Sequence, residues 1–108
     1  MSARAIPILI GATLLSTTVL AEPSGDAARG AQVYEAKMCN LCHTLGGEAG
    51  PMAELGGVLD QVGANRSTQW LRDYLLDPAG TLPGAQMPKT ELTPQELADL
   101  VAYMSSLR

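Results

Sequence analysis

An all-α fold is predicted for this chain, and three observations carry the prediction. The C-terminal stretch from Leu92 to Arg108 holds a complete helix-start signal followed by apolar residues at helical spacing. Two earlier segments, Asp26 to Cys39 and Ser67 to Leu76, also read as helices, and no stretch alternates apolar and polar residues long enough for a convincing strand. Finally, the 108 residues include one Trp, three Tyr and no Phe, too little bulk to fill a core. Three to four helices wrapped around something large and apolar is the expected architecture, in a single domain.

The N-terminus stands apart. Residues 5 to 21 carry no charge, Arg4 stands just ahead, and Val19-Leu20-Ala21 ends the run before Glu22. This pattern predicts an export signal over residues 1–21, cleaved after Ala21, with residues 22–108 as the folded domain. A retained membrane anchor is the competing reading. The run is short for a bilayer span and is broken by Pro7, which favours cleavage. Removing residues 1–21 takes away Arg4 alone, leaving six basic residues against eleven acidic ones, a net charge of −5. That sign disfavours nucleic acid as a partner.

Along the mature chain, Ala27, Ala28 and Ala31 favour the first helix, with Gly30, Val33 and Tyr34 at spacings of three and four. Gly30 costs about 1 kcal/mol relative to Ala inside a helix, so close approach of another helix is its expected reason. From Thr44 to Gly57, Gly46-Gly47, Gly50-Pro51 and Gly56-Gly57 predict loop. Ser67 is a fitting N-cap for a helix to about Leu76, with Trp70, Leu71, Tyr74 and Leu75 on one face and Asp77-Pro78 as its stop. A second loop contains Pro83-Gly84 and Met87-Pro88. The last helix should begin at Pro94, with Thr93 as N-cap, Glu96 closing a capping box, and Leu92 and Leu97 as a hydrophobic staple. Leu97, Leu100, Val101, Met104 and Leu107 form its apolar stripe.

Cys39-Asn40-Leu41-Cys42-His43 has the spacing of covalent haem attachment. Two thiols on one turn can bond the two vinyl groups on a porphyrin edge while the adjacent imidazole reaches the iron. Zinc normally takes four protein ligands, and two Cys with one His do not supply them. A thioredoxin-like pair needs a βαβ pattern, which is absent. A plain disulfide suits an oxidising compartment but leaves His43 and the poor core unexplained. One covalently bound haem c accounts for all three features, with the porphyrin as the missing core.

From Gly25 to Arg108 the sequence resembles the class I c-type cytochromes, in particular the small bacterial-type monohaem proteins. An N-terminal helix, the haem motif, a Gly-Pro loop, a middle helix, a methionine loop and a C-terminal helix follow in the family's order. The resemblance implies the cytochrome c fold, with Cys39 and Cys42 as the thioether cysteines and His43 as the proximal iron ligand. It also implies that the carbonyl of Pro51 accepts a hydrogen bond from the other nitrogen of His43, fixing the ring. Gly30 and Tyr34, with Leu100 and Tyr103, resemble the family's helix-crossing contacts.

For the sixth ligand, Met87 is favoured. It follows Gln86 and precedes Pro88, which biases it toward extended backbone able to cross the open haem face. Met52 lies near His43 on the proximal side, Met38 abuts Cys39, and Met104 belongs to the core stripe. An exposed loop methionine and an open sixth site are the alternatives for Met87. Trp70 and Arg66 read as a core indole and a solvated arginine, with hydrogen bonding to haem propionates as the rival role.

His/Met ligation leaves the iron no free position, so the expected function is one-electron transfer through an exposed haem edge. No catalytic residues are expected. The chain is read as a periplasmic monomer exchanging electrons with a redox protein donor and a redox protein acceptor, with no membrane attachment after cleavage. Two rivals remain: a gas-binding or peroxidatic haem protein, which requires Met87 off the iron, and a membrane-tethered haem subunit of a respiratory complex, which requires residues 5–21 to be kept.

Overall fold

The computed structural model describes residues 2–13 and 23–108. Residues 2–13 carry no regular secondary structure, and their Ile6, Ile8, Leu9 and Ile10 are exposed. The expected cleavage point after Ala21 lies outside the described residues. Among those described, no helix is long and apolar enough to cross a membrane.

Three helices of two to four turns build the frame, as predicted. Helix α1 spans Ala27–Ala36 and is capped by Asp26, whose carboxylate accepts the Arg29 amide at 2.8 Å. It buries Gly30 and Tyr34, four residues apart on one face. It stops three residues earlier than the sequence suggests, because Met38 adopts a left-handed conformation (φ 59°) and turns the chain into a 3₁₀ turn at Cys39–Leu41. No glycine marks that reversal, so the composition gave no warning of it.

The C-terminal helix follows the capping prediction. It spans Pro94–Ser106, numbered α6 in chain order, and both arms of the capping box are made: Thr93 Oγ1 accepts from the Glu96 amide at 3.1 Å, and Glu96 Oε1 accepts from the Thr93 amide at 2.9 Å. Helix α6 crosses α1 at Gly30, where any Cβ would collide with the Asp99 carbonyl oxygen. Tyr34 meets Tyr103 edge-on at the same crossing, with centroids 6.0 Å apart. Gly30, Tyr34 and Tyr103 thus meet at the crossing as expected, and Leu100 lies in the buried cluster that includes Tyr34.

Between them, α4 (Thr68–Leu76) starts where Ser67 Oγ accepts the Trp70 amide and packs Leu71 and Leu75 inward. Its core joins Tyr34 of α1 to Leu97, Leu100, Val101 and Met104 of α6, and Leu92 packs on that core as the staple requires. Asp77 both ends α4 and caps a further turn, α5 (Pro78–Thr81), by accepting the Gly80 amide. A Pro at N1 starts a helix as readily as it stops one.

The segment expected to be loop is more ordered than predicted. Thr44–Leu45 (β1) and Glu48–Ala49 (β2) pair antiparallel, Thr44 opposite Ala49, across Gly46 and Gly47, both at positive φ. Single turns α2 (Ala53–Gly56) and α3 (Val62–Asn65) follow. Two-residue strands and four-residue helices are too short to show a period in the sequence.

Candidate haem site

The frame leaves a cleft floored by Leu71, Leu75, Leu100 and Met104 and walled by Tyr34, Cys39, His43, Gly56, Trp70 and Met87, among others. About 740 Å³ lies between these walls, counting the part open to solvent. Among the described residues that line it, Arg66 alone carries a fixed charge.

The haem motif forms one tight turn. The Cys39 carbonyl accepts both the Cys42 amide (3.2 Å) and the His43 amide (3.1 Å); Cys39 and His43 line the cleft, while Cys42, half-buried on the same turn, does not. The two cysteines are not bridged to each other. Burial pushes the Cys39 thiol above its ordinary range.

His43 is held on its Nδ1 side. That nitrogen lies 3.3 Å from the Gly57 carbonyl, to which it donates as the Nδ1–H tautomer, leaving the Nε2 lone pair for a metal. The same carbonyl accepts the Thr44 amide at 3.0 Å, so the acceptor is itself anchored. Here the structure corrects the sequence reading, which gave this role to Pro51. Gly50-Pro51 instead backs the motif: a Cβ on Gly50 would strike the carbonyls of Asn40 and Leu41, and the Met52 amide bonds the Leu41 carbonyl at 3.0 Å. Gly56 makes room for the ring, since a Cβ there would lie 2.7 Å from both Cε1 and Nδ1 of His43.

Met87 is half-buried, packs against the core and lines the same cleft as His43. Met104 also lines it, but from within α6, 6% exposed. Met38 and Met52 are 60% and 45% exposed and take no part in the lining.

At the rim the structure differs again. Trp70 is half-buried rather than a buried core indole, and its ring is stacked on Tyr74 at 4.9 Å with the planes 11° apart. The Arg66 guanidinium covers it at 4.0 Å. Residues 66, 70 and 74 stand four apart, and that spacing was the available signal for this column. Deeper in, burial, with Cys39, Tyr103 and Asp60 adding to it, pushes the Tyr34 hydroxyl up to about 12.

An apolar cleft lined by Cys39 and an oriented imidazole, with Cys42 on the same turn and a glycine cut away to admit that imidazole, fits a covalently attached haem. Among the described residues no cluster of three or more His, Cys, Asp or Glu side chains offers a separate metal site.

Comparisons with known proteins agree. The family model described as cytochrome c matches residues 27–108. Cytochrome c of Ulva intestinalis is 31% identical over 101 residues, covering 76% of this chain and 90% of that protein. Cytochrome c2 of Rhodomicrobium vannielii is 28% identical, covering 95% and 96%. A chain in the crystal structure of SoxXA from P. pantotrophus superposes with a TM-score of 0.65 over 82% of this chain and 88% of its own, at 20% identity, a likeness of fold. On its fold, its Cys39-Asn40-Leu41-Cys42-His43 motif and these matches, the chain belongs to the cytochrome c family of electron-transferring proteins with covalently attached haem c.

Proposed function

We propose that this protein is a periplasmic one-electron carrier, with Cys39 and Cys42 as the thioether anchors and His43 Nε2 and Met87 Sδ as the axial ligands of its single haem. The observation that carries the reading is that His43 and Met87, far apart in sequence, line one apolar cleft. When bound, the haem supplies a reversible one-electron couple. The protein's residues do the rest. The Gly57 carbonyl orients His43, Met87 would supply a second ligand to the iron, and Leu71, Leu75 and Leu100 give the cleft its apolar floor.

Export with cleavage after Ala21 is supported by the uncharged run behind Arg4. The match to cytochrome c2 reaches 95% of this chain and so extends into that run. The mature domain is proposed to act as a monomer between a donor and an acceptor protein.

The test is an absorption spectrum of the reduced protein with and without carbon monoxide, together with N-terminal sequencing of protein from its native host. An unchanged spectrum and a start at Glu22 are expected. A spectrum shifted by carbon monoxide identifies a gas-binding site, and a start at Met1 or Ser2 identifies a tethered form.

A further inference from the structure

One polar atom at the cleft has no partner. Tyr34 is 6% exposed, and among the described residues its Oη is the buried side-chain nitrogen or oxygen that makes no hydrogen bond. A phenylalanine would fill the same space without desolvating a hydroxyl. A buried donor with nothing to donate to is unfavourable, so this hydroxyl calls for an acceptor in the loaded protein.

Position limits what that acceptor is. Tyr34 and Cys39 line the same cleft, among the apolar side chains of Leu71, Leu100 and Met104. Asp60, whose charge reaches Tyr34, makes no hydrogen bond to this hydroxyl and instead accepts the Gly46 amide at 3.0 Å. The oxygen acceptors of a haem are its propionates, which lie on the edge opposite the two vinyl positions that the cysteines join. At the Cys39 end the remaining acceptor is sulfur. As a thiol, Cys39 is both a weak donor and a weak acceptor. Addition of that thiol across a vinyl double bond forms S–C and C–H bonds as the S–H and π bonds are lost, and leaves a sulfur with lone pairs only. Attachment thus removes the competing donor and leaves the sulfur as an acceptor facing the tyrosine donor.

We propose that Tyr34 Oη donates a hydrogen bond to the Cys39 sulfur of the haem-loaded protein and thereby tunes the haem from its thioether edge. The inference rests on the haem reading above. A hydrogen bond at this sulfur draws electron density from the porphyrin edge and favours the reduced state.

The test uses the holoprotein. In wild type, the C–S stretching bands in the resonance Raman spectrum should move on transfer from H₂O to D₂O. Tyr34→Phe should abolish the movement and lower the midpoint potential, with the far-UV circular dichroism unchanged. Cys39→Ala, holding haem through Cys42 alone, should also lose the movement. A wild-type spectrum insensitive to D₂O overturns the proposal without any variant, as does a Tyr34→Phe protein of unaltered potential. Haem extracted from denatured wild type by acid and organic solvent overturns the haem reading itself, a result distinct from either.

Discussion

The carboxylate of Asp99 on α6 accepts the backbone amide of Asp26 at 2.9 Å, joining residues 73 apart in sequence. It also accepts from Gln95 Nε2 at 2.9 Å and lies 3.3 Å from Arg29 Nε, while being only 3% exposed. Asp26 is in turn the N-cap of α1. One buried acid therefore ties the start of the first helix to the middle of the last, and the crossing that backs the haem cleft depends on it.

Acid stability should report this tie. Burial raises the Asp99 carboxyl, but the Asp26 amide, Gln95 and Arg29 outweigh it and hold the group below the ordinary aspartate range. A carboxyl depressed by folding contributes stability above its unfolded pKa, and that contribution is lost as pH falls through the folded value. Asp99→Asn should melt at lower temperature at neutral pH, and its difference from wild type should shrink below the usual aspartate range. Melting curves across acid pH check this.

Gly30→Ala sets two effects against each other. Alanine gains about 1 kcal/mol in helix propensity. Its Cβ meets the Asp99 carbonyl and the Cβ of Tyr103, and overpacking typically costs about 1–3 kcal/mol. The collision is with backbone that cannot swing aside, so net destabilisation of up to about 2 kcal/mol is expected in denaturant unfolding.

Gly56→Ala acts on the proximal side. The added Cβ would strike the Cys42 carbonyl oxygen and press on Cε1 and Nδ1 of His43, shifting the haem-motif turn and displacing the ring from the Gly57 carbonyl. The expected outcome is reduced haem content and an altered Soret band, with helix content retained. A variant with wild-type haem content and spectrum would show that the ring has room to spare.

Met87→Ala should remove the weak far-red sulfur-to-iron charge-transfer band of the ferric protein, lower the potential and admit carbon monoxide. Met52→Ala, at an exposed position off the cleft, should leave all three unchanged. The reverse pattern would name the other methionine as ligand.

Electron transfer to a physiological partner should slow modestly as salt rises. The mature chain carries −5, which favours a basic docking face on the partner. Lys37 is paired with Glu96 at 3.3 Å and so adds little positive field of its own at the α1 end. Stopped-flow rates over a range of ionic strength decide it, and a rate that rises with salt would mean that the partner's docking face is acidic.

Much was legible in advance because some signals are local. The Thr93–Glu96 capping box, the Ser67 cap, the stripe along α6 and the cysteine–histidine motif each lie within a few residues or repeat with a helical period, so sequence alone determined the all-α class, the three main helices and the covalent cofactor. What tertiary structure decided concerns groups brought together from distant segments. That the acceptor of the His43 Nδ1–H is Gly57 rather than Pro51 depends on how the loop folds back through the Thr44 amide. The Arg66 guanidinium lies over Trp70 where the extended Arg66–Ser67 link joins α3 to α4. The burial of Asp99 and the unpartnered Tyr34 hydroxyl arise where α1 crosses α6. Residue type and spacing encode which chemistry a segment can do, but hydrogen-bond partners across a cleft are set by packing, and packing is a property of the whole chain.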